Sequence, residues 1–135
     1  MPVKLGPAGV PLSCKGRTIV EGMDDIISLG LETMEVQTVR MVAPQHFEQY
    51  WQAGVLAHKT GFEMNIHGPY YTELLGNRLQ RNRSLAKVEA ALQAAKTINA
   101  RHVTLHTGHY GDVSRGQVAN GQVASVFKGI VQRIH

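Results

Sequence analysis

The sequence predicts an α/β fold with a parallel sheet, built from four βα units in the manner of half a (βα)8 barrel. Short β-rich runs alternate with longer runs of helical period along the whole chain. A strand can reach a parallel neighbour only through a long crossover, so repeated β-then-α order makes parallel pairing the expectation. Glycines and prolines punctuate the joins, and no linker or low-complexity segment divides the units.

The first unit opens with a strand over Val3, Lys4, Leu5 and Gly6, followed by a Gly/Pro-rich connection through Pro11. Thr18 is placed to cap a helix from Ile19 to Leu29, which stops at Gly30. The second strand runs from Thr33 to Val39. After Pro44, residues Phe47, Tyr50, Trp51, Val55 and Leu56 recur at helical spacing as far as Gly61. Phe62 to His67 is the third strand, broken by Gly68-Pro69, and a loop to Ser84 leads to a helix with Leu85, Val88, Ala91, Leu92 and Ala95 in register. The fourth strand, His102 to His106, meets Thr107-Gly108-His109-Tyr110-Gly111. From about Arg115 a last helical stretch carries Val118, Val123, Val126, Phe127, Ile130 and Ile134.

The 135 residues, 43% hydrophobic and 18% charged, suit a single unit over 1–135 with one core. No run is long enough for a membrane span and the start lacks the pattern of a secretory signal, so no membrane partner and a cytoplasmic location are expected. Cys14 is the sole cysteine, which excludes an intrachain disulfide and reads as an ordinary core or loop residue. A net charge of +4 and a pI near 9.5 ease the approach of a polyanion without identifying one. The first βα turn lacks G-x-G-x-x-G, and G-x-x-x-x-G-K-[ST] is absent, so nucleotide cradling loses support.

In parallel βα architectures active residues gather beyond the carboxyl ends of the strands, which is where His67, His106 and His109 fall. Alternation puts Asn65 with His67 on one face of the third strand, Thr104 with His106 on one face of the fourth, and Glu35 with Gln37 on one face of the second. Strands lie about 4.8 Å apart, so two imidazoles at adjacent strand ends can converge on one metal. Glu35 or Gln37 could add an oxygen ligand or orient an imidazole by a hydrogen bond, and His109 could add a nitrogen ligand or support one. Single histidines at strand ends are more usually hydrogen-bonded structural residues, and spacing alone leaves that reading open. His46, His58, His102 and His135 read as surface residues.

The pairing of Ile66-His67-Gly68-Pro69-Tyr70-Tyr71 with Leu105-His106-Thr107-Gly108-His109 resembles the endonuclease IV family, a member of the xylose isomerase-like TIM barrels. The likeness in element order spans the chain but only the N-terminal, parallel (βα)4 half of a TIM-type (βα)8 barrel. It implies zinc-dependent hydrolysis of DNA at abasic sites, a DNA-repair hydrolase activity, with manganese or magnesium as alternative ions. By that resemblance His67 and His106 match metal ligands after the third and fourth strands, and Tyr70 matches an aromatic ring that enters DNA at the lesion. Arg40 matches, more loosely, an arginine of the recognition loop. The residues themselves agree with a DNA-facing pole: Arg78, Arg81 and Arg83 follow Tyr70 and Tyr71, arginines bind phosphate, and aromatic rings stack on bases. A solvated, Arg-rich loop before a helix is the plainer reading of the same residues.

The remaining ligands of that family come from later strands, so this chain would carry only part of a zinc cluster and is expected to be inactive alone. Its open edges and an inner face carrying Met64, Ile66 or their alternating neighbours would need a C-terminal half or a homodimer partner. Two other functions stay open: a xylose isomerase-like sugar isomerase or epimerase, favoured slightly by Glu35, and a non-catalytic half-barrel that binds metal or nucleic acid.

Overall fold

Three parallel strands, β1 (Thr33–Gln37), β2 (Glu63–His67) and β3 (His102–Thr104), lie in the order β1-β2-β3 in the computed structural model, which describes residues 3–40, 42, 46–110, 114–117 and 121–134. Helix α1 (Ile19–Ser28) precedes β1, α2 (Phe47–Thr60) joins β1 to β2, and α3 (Arg78–Ile98) joins β2 to β3. After β3 come α4 (Arg115–Gln117) and α5 (Val123–Ile134); Val118, expected within one continuous helix, lies outside the described residues. Among the described residues no helix is long and apolar enough to cross a membrane.

Local chemistry sets the helix starts. Thr18 Oγ1 accepts the Glu21 N–H at 3.2 Å while the Glu21 carboxylate accepts the Thr18 N–H at 3.0 Å, a reciprocal box that satisfies two otherwise unpaired donors. The same device begins α3: Asn77 Oδ1 accepts the Gln80 N–H at 3.0 Å and Gln80 Oε1 accepts the Asn77 N–H at 2.9 Å. Helix α3 therefore starts at Arg78, and the expected loop to Ser84 ends at the cap instead.

The expected first strand is corrected. Residues 5–9 run beside β1 through three backbone bonds, Glu32 N to Leu5 O, Glu35 N to Pro7 O and Gly9 N to Glu35 O, with a single parallel bridge between Ala8 and Glu35. Pro7 has no N–H to extend a ladder. Gly6 passes so close to β1 that a Cβ there would sit 1.6 Å from Thr33 O, so only glycine fits. The ladder also ends early at the other pole. In register, Gln37 faces His67, so continued pairing would set Val39 against Pro69, which cannot donate. This is why β1 stops at Gln37 rather than Val39. On the other side Gly68 N still donates to Thr104 O, but Gly68 O is engaged by the His67 ring, and β3 ends at Thr104 rather than His106.

Alternation along the strands separates two faces. Met34, Val36, Met64 and Ile66 are buried in one core with Met23 and Ile26 of α1, Ala53 and Ala57 of α2, and Ala91, Ala94 and Ile98 of α3. The opposite face presents Glu35, Gln37, Asn65, His67, His102 and Thr104, all half-buried or exposed. Met64 and Ile66, 1% and 0% exposed, thus face the helices, which corrects the expectation that they might lie on an uncovered inner face. The open face is polar, and the expected loss of apolar burial there does not arise.

Candidate metal and nucleic-acid site

His67 is the last residue of β2, and its carbonyl is held by both the N–H and the Oγ1 of Thr38, each at 2.9 Å. His106 lies just past β3, its carbonyl accepting from the buried Thr72 hydroxyl. Two adjacent parallel strands thereby bring the imidazoles together, with ring centroids 4.9 Å apart at 49°. His67 Nδ1 lies 3.0 Å from Gly68 O. A carbonyl only accepts, so Nδ1 carries a proton; in the neutral ring the lone pair is then on Nε2, the arrangement commonly seen in metal-ligating histidines. His106 Nε2 is buried without a hydrogen-bond partner among the described residues.

Two such nitrogens suit zinc in kind. They do not suffice in number: among the described residues no group of three or more His, Cys, Asp or Glu side chains lies together as a metal-binding set. Glu35, one register row below His67, accepts a hydrogen bond from Thr104 Oγ1 at 3.3 Å and touches neither imidazole by hydrogen bond. His109 is engaged elsewhere. Its Nδ1 donates to Glu73 Oε1 at 2.9 Å and its backbone N–H to Glu73 Oε2 at 3.2 Å.

That second contact pins the loop after β3 to the loop after β2. Gly108, with φ of 107°, makes it possible, since a Cβ there would lie 2.8 Å from Glu73 Oε2 and 3.0 Å from Thr72 O. The bond from the His109 side chain holds the Glu73 carboxyl below its ordinary value of 4.5. A depressed carboxylate stabilises the folded form above its unfolded value and loses that effect as pH falls through the folded one. The clip is therefore expected to hold at neutral pH and to release below about 4.5. An NMR titration should show the His109 amide resonance moving through a step in that acid range, and Glu73→Gln should abolish the step. A step that survives the substitution would refute the clip.

The aromatic residues occupy the same pole. The Tyr70 ring sits edge-on to His106 at 4.5 Å and to Tyr71 at 5.3 Å, yet Tyr70 and Tyr71 remain 49% and 61% exposed. Tyr70 N donates to Val39 O at 3.1 Å, which sets the backbone of the exposed Arg40 beside this loop. Arg78, Arg81 and Arg83 do not share a loop, as expected from sequence, but stand on the opening turns of α3. Arg81 folds back toward Gly76 O at 3.4 Å.

Sequence reasoning passed over the residues that fasten the tyrosine loop. Ser84, buried, accepts the Glu73 N–H at 2.8 Å and donates to Gln80 O, and Lys87 Nζ donates to Tyr71 O at 2.8 Å. A hydroxyl on the otherwise apolar stripe Ser84, Val88, Ala91, Ala95 was the available signal for the first. Lys87 had none. No family model matches the chain, and no curated protein or solved structure matches it either.

Proposed function

We propose that this chain is the N-terminal, (βα)4 half of a TIM-type barrel and carries part of the site of a metal-dependent nuclease that acts on DNA at abasic positions. The observation that carries the reading is the pair His67 and His106, one with its Nδ1 proton tied to a carbonyl and the other with a buried, unpartnered Nε2, beneath the half-exposed ring of Tyr70. His67 and His106 would hold zinc, with further ligands supplied from outside this pair. Zinc bound there supplies a Lewis acid for a phosphate oxygen. The chain's own residues orient and exclude: Gly68 O fixes the His67 ring, Thr72 fixes the His106 backbone, and Tyr70 shields the His106 ring while offering a stacking surface.

The polar row of Glu35 and Asn65, whose buried Oδ1 lacks a partner among the described residues, favours a second reading, sugar isomerisation. An incision assay on abasic duplex DNA with the intact gene product separates the two. Cleavage abolished by a chelator is the expected result, whereas sugar isomerisation without incision would transfer the assignment to the second.

Tyr70→Ala is expected to weaken binding to abasic duplex by about 5- to 150-fold, since stacking on an aromatic ring is commonly worth about 1–3 kcal/mol per base. Zinc content should not change, because the phenol ring contacts His106 without competing for a metal. Fluorescence anisotropy with labelled duplex measures the first quantity, and equal affinity for both proteins would remove Tyr70 from the DNA surface.

A further inference from the structure

Helix α3 carries its cations on two different flanks. At about 100° per residue, Arg83 and Lys87 stand one turn apart on one flank and Arg78 and Arg81 on the other, with Ser84 between them. Contacts identify what each flank meets. Lys87 Nζ lies 2.8 Å from Tyr71 O, so its flank borders the loop that presents Tyr70 and Tyr71. Arg81 lines, with Leu74, Leu75 and Val126, the crevice between α3 and α5. Past Lys87 that flank turns into the core at the half-buried Ala90 and the buried Ala94, so its charged stretch is the first turns of the helix, while Glu89 falls on the flank of Arg81. Only one side of α3 thus combines exposed positive charge with exposed aromatic rings and no carboxylate of its own.

We propose that Arg83 and Lys87 form a seat for the sugar-phosphate backbone beside the Tyr70–Tyr71 pair, so that a nucleic-acid strand whose bases meet the tyrosines runs its phosphates along this flank of α3. This rests on the DNA reading given above and adds to it the path of one strand. The chemistry is complementary: ammonium and guanidinium groups neutralise phosphates, and the ring faces accept bases of any sequence. Lys87 spends one N–H on the Tyr71 carbonyl, which holds its charge at the edge of the loop and leaves two donors for a phosphate. Arg83 is exposed one turn nearer the helix start.

Salt dependence tests this, because each lost phosphate contact lowers the slope of log affinity against log salt by about 0.9 on duplex DNA. Binding of the intact gene product to a short undamaged duplex and to the same duplex with one abasic analogue is measured from about 50 to 200 mM salt. Arg83→Gln and Lys87→Gln should each reduce the slope by roughly one on both duplexes. Lys87→Arg, which keeps both the charge and the donor, should retain it, as should Lys59→Gln at the C-terminal end of α2. Arg83 makes no bond to the tyrosine loop, so its variant reports on charge alone. Unchanged slopes in Arg83→Gln and Lys87→Gln would overturn the seat. Normal slope losses with no preference for the abasic duplex would leave the seat standing and count against the abasic-site reading. No binding to either duplex at about 50 mM salt would remove both.

Discussion

His67→Ala and His106→Ala are each expected to lower the zinc affinity of the intact gene product by more than the roughly 10–100-fold that loss of a supporting partner around a metal typically costs. Each change deletes a ring nitrogen that no neighbouring side chain replaces: Glu35 is hydrogen-bonded to Thr104, and His109 to Glu73. The two losses should not be additive if both rings serve the proposed site, since their centroids lie 4.9 Å apart. Competition against a chromogenic chelator gives the affinities, with His58→Ala on the surface of α2 as a control for histidine loss. Full zinc binding in both variants would return the pair to an ordinary hydrogen-bonding role.

The largest effect on stability is expected at Ile66, not at the polar residues beside it. Ile66 is 0% exposed and faces the core shared by α1, α2 and α3, so Ile66→Ala removes buried methyl groups and leaves a cavity, at a cost of about 2–5 kcal/mol. Against a typical domain stability of about 5–15 kcal/mol that is a large fraction. His102→Ala, an exposed residue on the open face, should stay within about 0.5 kcal/mol. Urea unfolding of both variants checks the difference directly. Comparable losses at the two positions would mean that the open face is packed as tightly as the helical one, and the two-faced sheet described above would be wrong.

That two-faced sheet is partly legible in the sequence. The alternation of Met64, Asn65, Ile66 and His67 separates apolar from polar positions, since successive side chains leave a strand on opposite sides. It does not say which set the helices cover. Apolar stripes on α1, α2 and α3 choose Met64 and Ile66, because only apolar surface gains from leaving water. The α3 boundary is also present in the chain as Asn77 followed by Gln80, but that cap lies about two turns ahead of the apolar stripe that signals the helix.

The alternation of helix and strand from α1 to β3, the parallel pairing, and the placement of His67 at the end of one strand and His106 just past the end of its neighbour are therefore properties of the sequence itself. Their causes are periodicity, crossover length and turn residues, all of which act over short stretches of chain. The partners of the site are not. Glu73 meets His109 across 36 positions, Lys87 meets Tyr71 across 16, and Ser84 meets Glu73 across 11. Nor could periodicity have shown that β3 stops short of His106, or that the Arg81 flank of α3 meets α5 while the Lys87 flank meets the tyrosine loop. Such pairings depend on how far each loop travels after Pro69 and Gly108 and on which helix it then meets, and only packing of the whole chain settles that.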